Sequence, residues 1–145
     1  MAKMYLRNHD GVIKVTGRSD AGFAYKKHMP VALIGGVLQP ATNFATHAAF
    51  WPNFAGLIDE DRPLGHSSDP VVVICQAFGL FLDYPSPAAF NLFTRFQFAV
   101  DGGTGNLNGF SVVQGAAPGL FVTKVQKSMD QRDKVWLGFR SPLAV

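Results

Sequence analysis

Glycine and proline cut most of this chain into short segments, and that punctuation limits the fold more than any other feature. Fifteen Gly and nine Pro are spread over 145 residues. Between them lie apolar runs of strand length, with no recurring helical period. The longest, "VVVICQAFGLFLDY" (Val71–Tyr84), is bounded by Pro70 and Pro85 and interrupted by Gly79. It reads as one long strand or a strand pair, with Gly79 at a bulge or a point of close backbone approach.

The remaining segments fit the same reading. "GVIKVTG" is a short strand whose better core candidates are Ile13 and Val15. Phe23–Tyr25 is extended, and Val31–Ile34 is a strand ending in a Gly35–Gly36 turn or bulge. Phe54–Ile58 is a buried strand. In "RFQFAV", Phe96, Phe98 and Val100 point inward while Arg95 and Gln97 point outward. "PSPAAFN" is a turn, "DGGTGNLNG" a loop, and "FSVVQ", "LFVTKVQ" and "KVWLGF" are closing strands, the last two joined by the polar connector "KSMDQRD". Val135, Leu137 and Phe139 share one face of the final strand, Lys134, Trp136 and Arg140 the other. The one helix candidate is "ATNFATHAAF", capped by Thr42 or Asn43. The expected fold is all-β, a small sandwich or barrel. Residues 1–10 form an extended N-terminal arm, 11–141 a single β-rich domain, and 142–145 a C-terminal tail.

Composition narrows the function classes. Charged residues are only 16% of the chain and hydrophobic residues 48%, an apolar balance that suits a surface covered by partners. No apolar run is long enough to span a bilayer, and "MAKMYLRNHDGVIKV" lacks the apolar core of a signal peptide, so no membrane partner is expected. The single Cys75 excludes an internal disulfide and, in "VVVICQAF", reads as a buried inert thiol. A net charge of +3 with scattered bases gives no dense basic patch, so direct nucleic-acid binding is not expected either.

Two constellations invite a chemical reading. Asp59, Glu60 and Asp61 run together, followed by His66 and Asp69. Adjacent carboxylates in an extended chain point to alternating sides, and Pro63 and Leu64 stand where calcium ligands would be needed. A zinc site would want further His or Cys, and His9, His28 and His47 are not spaced as ligand pairs. A solvated loop with Arg62 pairing locally is the expected state, so catalytic, cofactor and metal residues are all read as none. "GGTGNLNG" lacks the Lys-Ser/Thr of a phosphate loop. Phe78, Phe81, Phe90, Phe93, Phe96 and Phe98 could stack on bases, but only Arg95 and Arg140 are placed to interleave, so core or subunit interface is the expected role.

From Phe54 to Ser141 the order of segments resembles bacteriophage head-decoration (capsid cement) proteins. The resemblance is carried by Phe54-Ala55-Gly56-Leu57, the turn Arg62-Pro63-Leu64-Gly65, the strand start Asp69-Pro70-Val71-Val72-Val73, and Gly79-Leu80-Phe81-Leu82-Asp83. Ser86-Pro87-Ala88-Ala89-Phe90 and the closing strands Leu120–Val125 and Lys134–Phe139 complete it. Two departures are visible: Val122-Thr123-Lys124 replaces an Ile-Gly-Arg-like step, and no glycine follows near Phe93–Arg95.

The resemblance implies a structural protein of the virion. It would be made in the host cytoplasm, bind the major capsid protein on the outer shell surface, and associate with itself as a trimer or other homo-oligomer. The acid-rich stretch would then connect two structural strands. Within the N-terminal arm, Tyr5, Leu6 and Arg7 are the candidate partner-binding residues, laid on a neighbouring subunit. The alternative is a small β-barrel enzyme or ligand-binding module using the acidic loop from Asp59 to His66.

Overall fold

The computed structural model describes residues 2–67, 70–84, 90–116, 119–127 and 133–143, without the side chains of residues 2, 3, 83, 84, 127 and 133. Asp69, the expected turn at Pro85 and Pro87, most of the connector between Lys127 and Asp133, and residues 144–145 lie outside it. The chain is all-β, as its punctuation predicts. The strands are β1 (Ala2–Leu6), β2 (Ile13–Gly17), β3 (Pro30–Ile34), β4 (Val37–Pro40), β5 (Phe54–Ile58), β6 (Val71–Tyr84), β7 (Arg95–Val100), β8 (Leu107–Gln114), β9 (Leu120–Lys127) and β10 (Asp133–Arg140).

All of these belong to one antiparallel sheet, and β6 organises it. The second half of β6 pairs with β10 on one edge and with β1 on the other, through Trp136↔Phe81 and Tyr5↔Phe81. From β1 the path runs through β8, β7 and β9 back to β10, giving a nearly closed six-stranded barrel. The first half of β6 instead pairs with β2 and β5, and β5 continues to the β3–β4 hairpin. That hairpin turns at Gly35–Gly36, with φ of 58° and 80°. Two positive φ values in a two-residue loop are what glycine supplies without a Cβ penalty.

The register between β6 and β10 slips between Leu137 and Phe139. At this point a Cβ on Gly79 would lie 2.4 Å from the Asn8 Cβ, and one on Gly138 would lie 2.7 Å from the Phe78 ring. Gly79 is therefore the close-approach point its position in the run suggested.

The barrel interior holds Met4, Leu80, Leu82, Val112, Leu120, Val122, Val135 and Leu137, all buried. One end is closed by the segment before β5: a 3-10 turn (Ala41–Asn43), helix α1 (His47–Phe50) and a second 3-10 turn (Trp51–Asn53). There Phe50, Phe54, Phe98 and Phe139 form a buried aromatic cluster, Phe54 lying 5.4 Å from Phe50 and Phe139 and 5.9 Å from Phe98 between ring centroids. Separations in this range are the favourable ones for tilted and edge-on rings. A second cluster, Tyr25, Met29, Val31, Leu38, Ile58, Val71 and Val73, fills the smaller lobe. The buried Tyr25 hydroxyl donates to the Leu38 carbonyl at 2.8 Å.

Several expectations are corrected. Residues 2–6 are not an arm: Ala2 and Lys3 pair with β8 and Met4 to Leu6 with β6, so β1 closes the chain's own barrel. Burying Met4 and satisfying the two facing edges favours this docking over extension into solvent. Ile13 and Val15 are exposed at 42% and 48%, because the β2 face that carries them opens onto a cleft. Val100 is half exposed and Ala99 buried, because a register shift after Phe98 reverses the alternation. The helix is capped by Thr46, whose Oγ1 accepts from Ala49 N, and not by Thr42 or Asn43. Phe23–Tyr25 forms no strand beyond a single bridge from Tyr25 to Arg62. The glycine loop ends sooner than expected, since Leu107 is already buried in β8.

Two predictions follow from this packing. Phe98→Ala should lower the unfolding free energy by about 3–5 kcal/mol and Met4→Ala by about 2 kcal/mol or more, read from urea titrations. A Met4 variant that unfolds like the parent would show that β1 does not close the barrel. The other prediction concerns acid. His47 is buried and stacked on Trp51 at 5.7 Å, with its Nε2 enclosed and lacking a hydrogen-bond partner among the described residues. Burial holds its pKa below the ordinary 6.5, and burial followed by the Lys27 charge does the same for His28. The unfolded chain therefore takes up protons before the folded one. Stability should be fully present above pH 6.5 and decline as pH falls below it. His47→Phe should reduce that slope in urea midpoints measured from pH 7.5 to 5.

Candidate functional site

The acid-rich segment connects β5 to β6, as a solvated loop should. Its carboxylates go to separate partners. Asp59 Oδ2 accepts from Lys14 Nζ at 2.9 Å, and Glu60 Oε1 accepts from Arg62 Nη2 at 3.1 Å. Asp61 Oδ1 accepts from the Lys27 backbone N–H at 2.7 Å. His66 turns toward the Tyr25 ring, 5.5 Å away between centroids. Arg62 also donates to the Pro70 carbonyl and bridges to Tyr25, so it ties the loop down locally. Asp59, Glu60 and Asp61 are thus each used on a different neighbour, and the three do not converge on one point. Among the described residues, no group of three or more His, Cys, Asp and Glu side chains could hold a metal ion. The glycine loop is a tight β7–β8 connection in which Asp101 Oδ1 accepts from Gly103 N at 2.7 Å, so its own carboxylate fills the turn.

The outer wall of the barrel is a different kind of surface. Register across four strands places Tyr5, Phe81, Trp136 and Lys124 in one row. Each alternates with an inward residue: Met4 and Leu6 flank Tyr5, Leu80 and Leu82 flank Phe81, and Val135 and Leu137 flank Trp136. The strand period of two thus sends one set to the core and the other to the wall. Phe81 meets Trp136 edge-on at 5.3 Å between centroids. The Arg7 guanidinium lies over Tyr5 and Phe81, 5.8 and 5.6 Å from their centroids, and Lys124 Nζ lies 5.1 Å from the Trp136 ring. These are cation–π distances. Among the described residues neither cation has a carboxylate partner. Tyr5 remains 47% exposed.

Of the three candidate partner-binding residues, the structure therefore brings Tyr5 and Arg7 to this wall and turns Leu6 inward against the core. Of the six phenylalanines weighed as a stacking set, Phe90, Phe96 and Phe98 are buried, while Phe78 and Phe93 are exposed and Phe81 is part of the row. In the sequence Trp136 is legible as lying opposite the Val135, Leu137 and Phe139 face, and Lys124 only as a member of the closing strand "LFVTKVQ". Their meeting with Tyr5 depends on strand order, which local alternation does not encode.

No family model, no curated protein and no solved structure matches this chain. No helix among the described residues is long and apolar enough to cross a membrane.

The loop geometry gives a direct prediction. The Lys14–Asp59 pair is partly solvated, so Asp59→Asn should change stability by no more than about 1 kcal/mol, and less in high salt. Melting temperature should be the same in EDTA and in millimolar calcium. A calcium-dependent rise that Asp59→Asn abolishes would restore the loop as a metal site.

Proposed function

We propose that the protein is a structural decoration protein of a bacteriophage capsid, seated on the outer surface of the assembled shell and bridging major capsid protein subunits. The order of segments from Phe54 to Ser141 gives the direction of this reading. The observation that carries it is the Tyr5–Phe81–Trp136 row with Arg7 and Lys124 laid over its rings. Tyr, Trp and Arg are the residues that dominate binding energy at protein interfaces. Here they stand on paired strands and hold one another in place, so little side-chain freedom remains to be lost on docking. Arg7 and Lys124, which have no carboxylate partner among the described residues, favour a shell surface that presents acidic groups.

The arrangement fits a protein partner better than bases. Stacking needs open ring faces, and Arg7 and Lys124 already lie over the rings of this row. The mechanism is mass action: a protein that binds only the assembled lattice stabilises it by RT ln(1 + [L]/Kd) per site. In this reading Tyr5 acts from β1 and Arg7 from the residue that follows it, not from a free arm.

Co-sedimentation with empty shells of the major capsid protein tests it. The parent should pellet with shells saturably and raise their melting temperature. Tyr5→Ala with Arg7→Glu should weaken binding by about tenfold or more, equivalent to ~1.4 kcal/mol, at unchanged fold. A parent that stays in the supernatant at every concentration would remove the capsid assignment. Equal binding by parent and variant would remove this wall as the docking face.

A further inference from the structure

We propose that the protein pairs with a second copy of itself through a two-fold contact in which the Leu92–Phe93 turn of each copy enters an apolar cleft of the other. The cleft lies between β2 and the β3–β4 hairpin. Ile13, Val15 and Leu33 form its walls, Val73 and Cys75 its floor, and Leu143 lines it from the C-terminal side. Its volume is about 220 Å³, and a cavity of ~150 Å³ already holds a benzene ring. Its walls are open to solvent although mostly apolar, Thr16 being the one polar side chain that lines it, with Leu33 36% and Leu143 42% exposed. Among the described residues β2 pairs only with β6, so its other edge is free along the cleft.

The matching knob is the turn before β7. Leu92 and Phe93 are 59% and 70% exposed, the latter the most exposed large apolar side chain described. The turn is nonetheless tied down by hydrogen bonds. Thr94 Oγ1 donates to the Asn91 carbonyl at 2.7 Å and accepts from Asn91 N at 3.1 Å, and Phe93 N donates to the Val122 carbonyl at 3.0 Å. Phe93 is held at a φ of 68°, a left-handed conformation that a bulky aromatic rarely adopts. A strained backbone that holds an aromatic ring out in water is the kind of feature that persists for a contact outside the chain.

A run of apolar contacts leads from the knob toward the cleft. The Phe93 ring contacts Phe121 at 6.2 Å, and Phe121 contacts Phe78 at 6.4 Å. Phe78 in turn packs under Gly11, two residues before β2 begins. A surface with a projecting ring at one end and a hole toward the other is complementary to its own reversed copy. A two-fold axis near Phe78 and Phe121 therefore seats both knobs in both clefts at once, the self-complementary geometry of an isologous dimer. This run of contacts does not use the Tyr5–Trp136 row, so self-pairing stands independently of shell binding.

Sedimentation velocity on the full chain tests the proposal. The parent should run as a dimer up to high micromolar concentration. Phe93→Asp and Val15→Asp should each run as monomers with parental circular dichroism. Aspartate tolerates the positive φ at position 93, and position 15 is exposed on an edge strand. Mixed in equal amounts, the two variants should regain a dimer weaker than the parent's, because the Phe93→Asp copy keeps its cleft and the Val15→Asp copy keeps its knob. A monomeric parent, a dimer that survives either substitution, or a mixture that stays monomeric would each overturn the proposal.

Discussion

The fold depends on β6 serving two lobes of one sheet in succession. Fourteen residues of continuous strand give its first half to the β2–β5 lobe and its second half to the β1–β10 barrel. The two halves meet at the register slip opposite Gly138, where Asn8 packs directly onto Gly79. Any side chain at position 79 would collide with that backbone, so the transition between the lobes rests on a missing Cβ. The exchange is completed on the other edge. Where β10 ends, Ser141 N donates to the Cys75 carbonyl at 2.8 Å and the Ser141 hydroxyl donates to the Phe54 carbonyl, which hands the edge of β6 from β10 to β5.

Barrel closure by β1 has a second effect. The pairing that buries Met4 against the core sets Tyr5 on the wall beside Phe81, because successive residues of a strand face opposite sides. A slip of one residue would bury Tyr5 and expose Met4. Core packing thus fixes the outer row, and the proposed docking surface needs no separate device to position its rings.

The low charge of the chain also finds a place in this architecture. Much of its apolar content goes into two clusters, but Ile13, Val15, Phe78, Leu92 and Phe93 remain at the surface. Leu64 and Val100 are exposed as well, at 69% and 50%. Asp59, Glu60 and Asp61, in contrast, are tied individually to Lys14, Arg62 and the Lys27 backbone.

By itself the sequence determined the local grammar: the all-β class, the turns at Gly35–Gly36 and after β5, the glycine at position 79, and the inward sets of β7 and β10 at Phe96, Phe98, Val135, Leu137 and Phe139. These rest on period-two alternation and on glycine and proline stereochemistry, which act over a few residues. Only the tertiary structure decided which apolar faces are covered. Ile13 and Val15 alternate like core residues yet face a cleft, and Val100 is turned outward by a bulge. Residues 2–6, expected to reach outward, are captured by strand edges whose residues lie more than seventy positions away. The same holds for the row of Tyr5, Phe81, Trp136 and Lys124. Of these only Trp136 is assigned a face by local alternation, and the four are neighbours only through strand order and register, which arise from closing the barrel and leave no local trace in the chain.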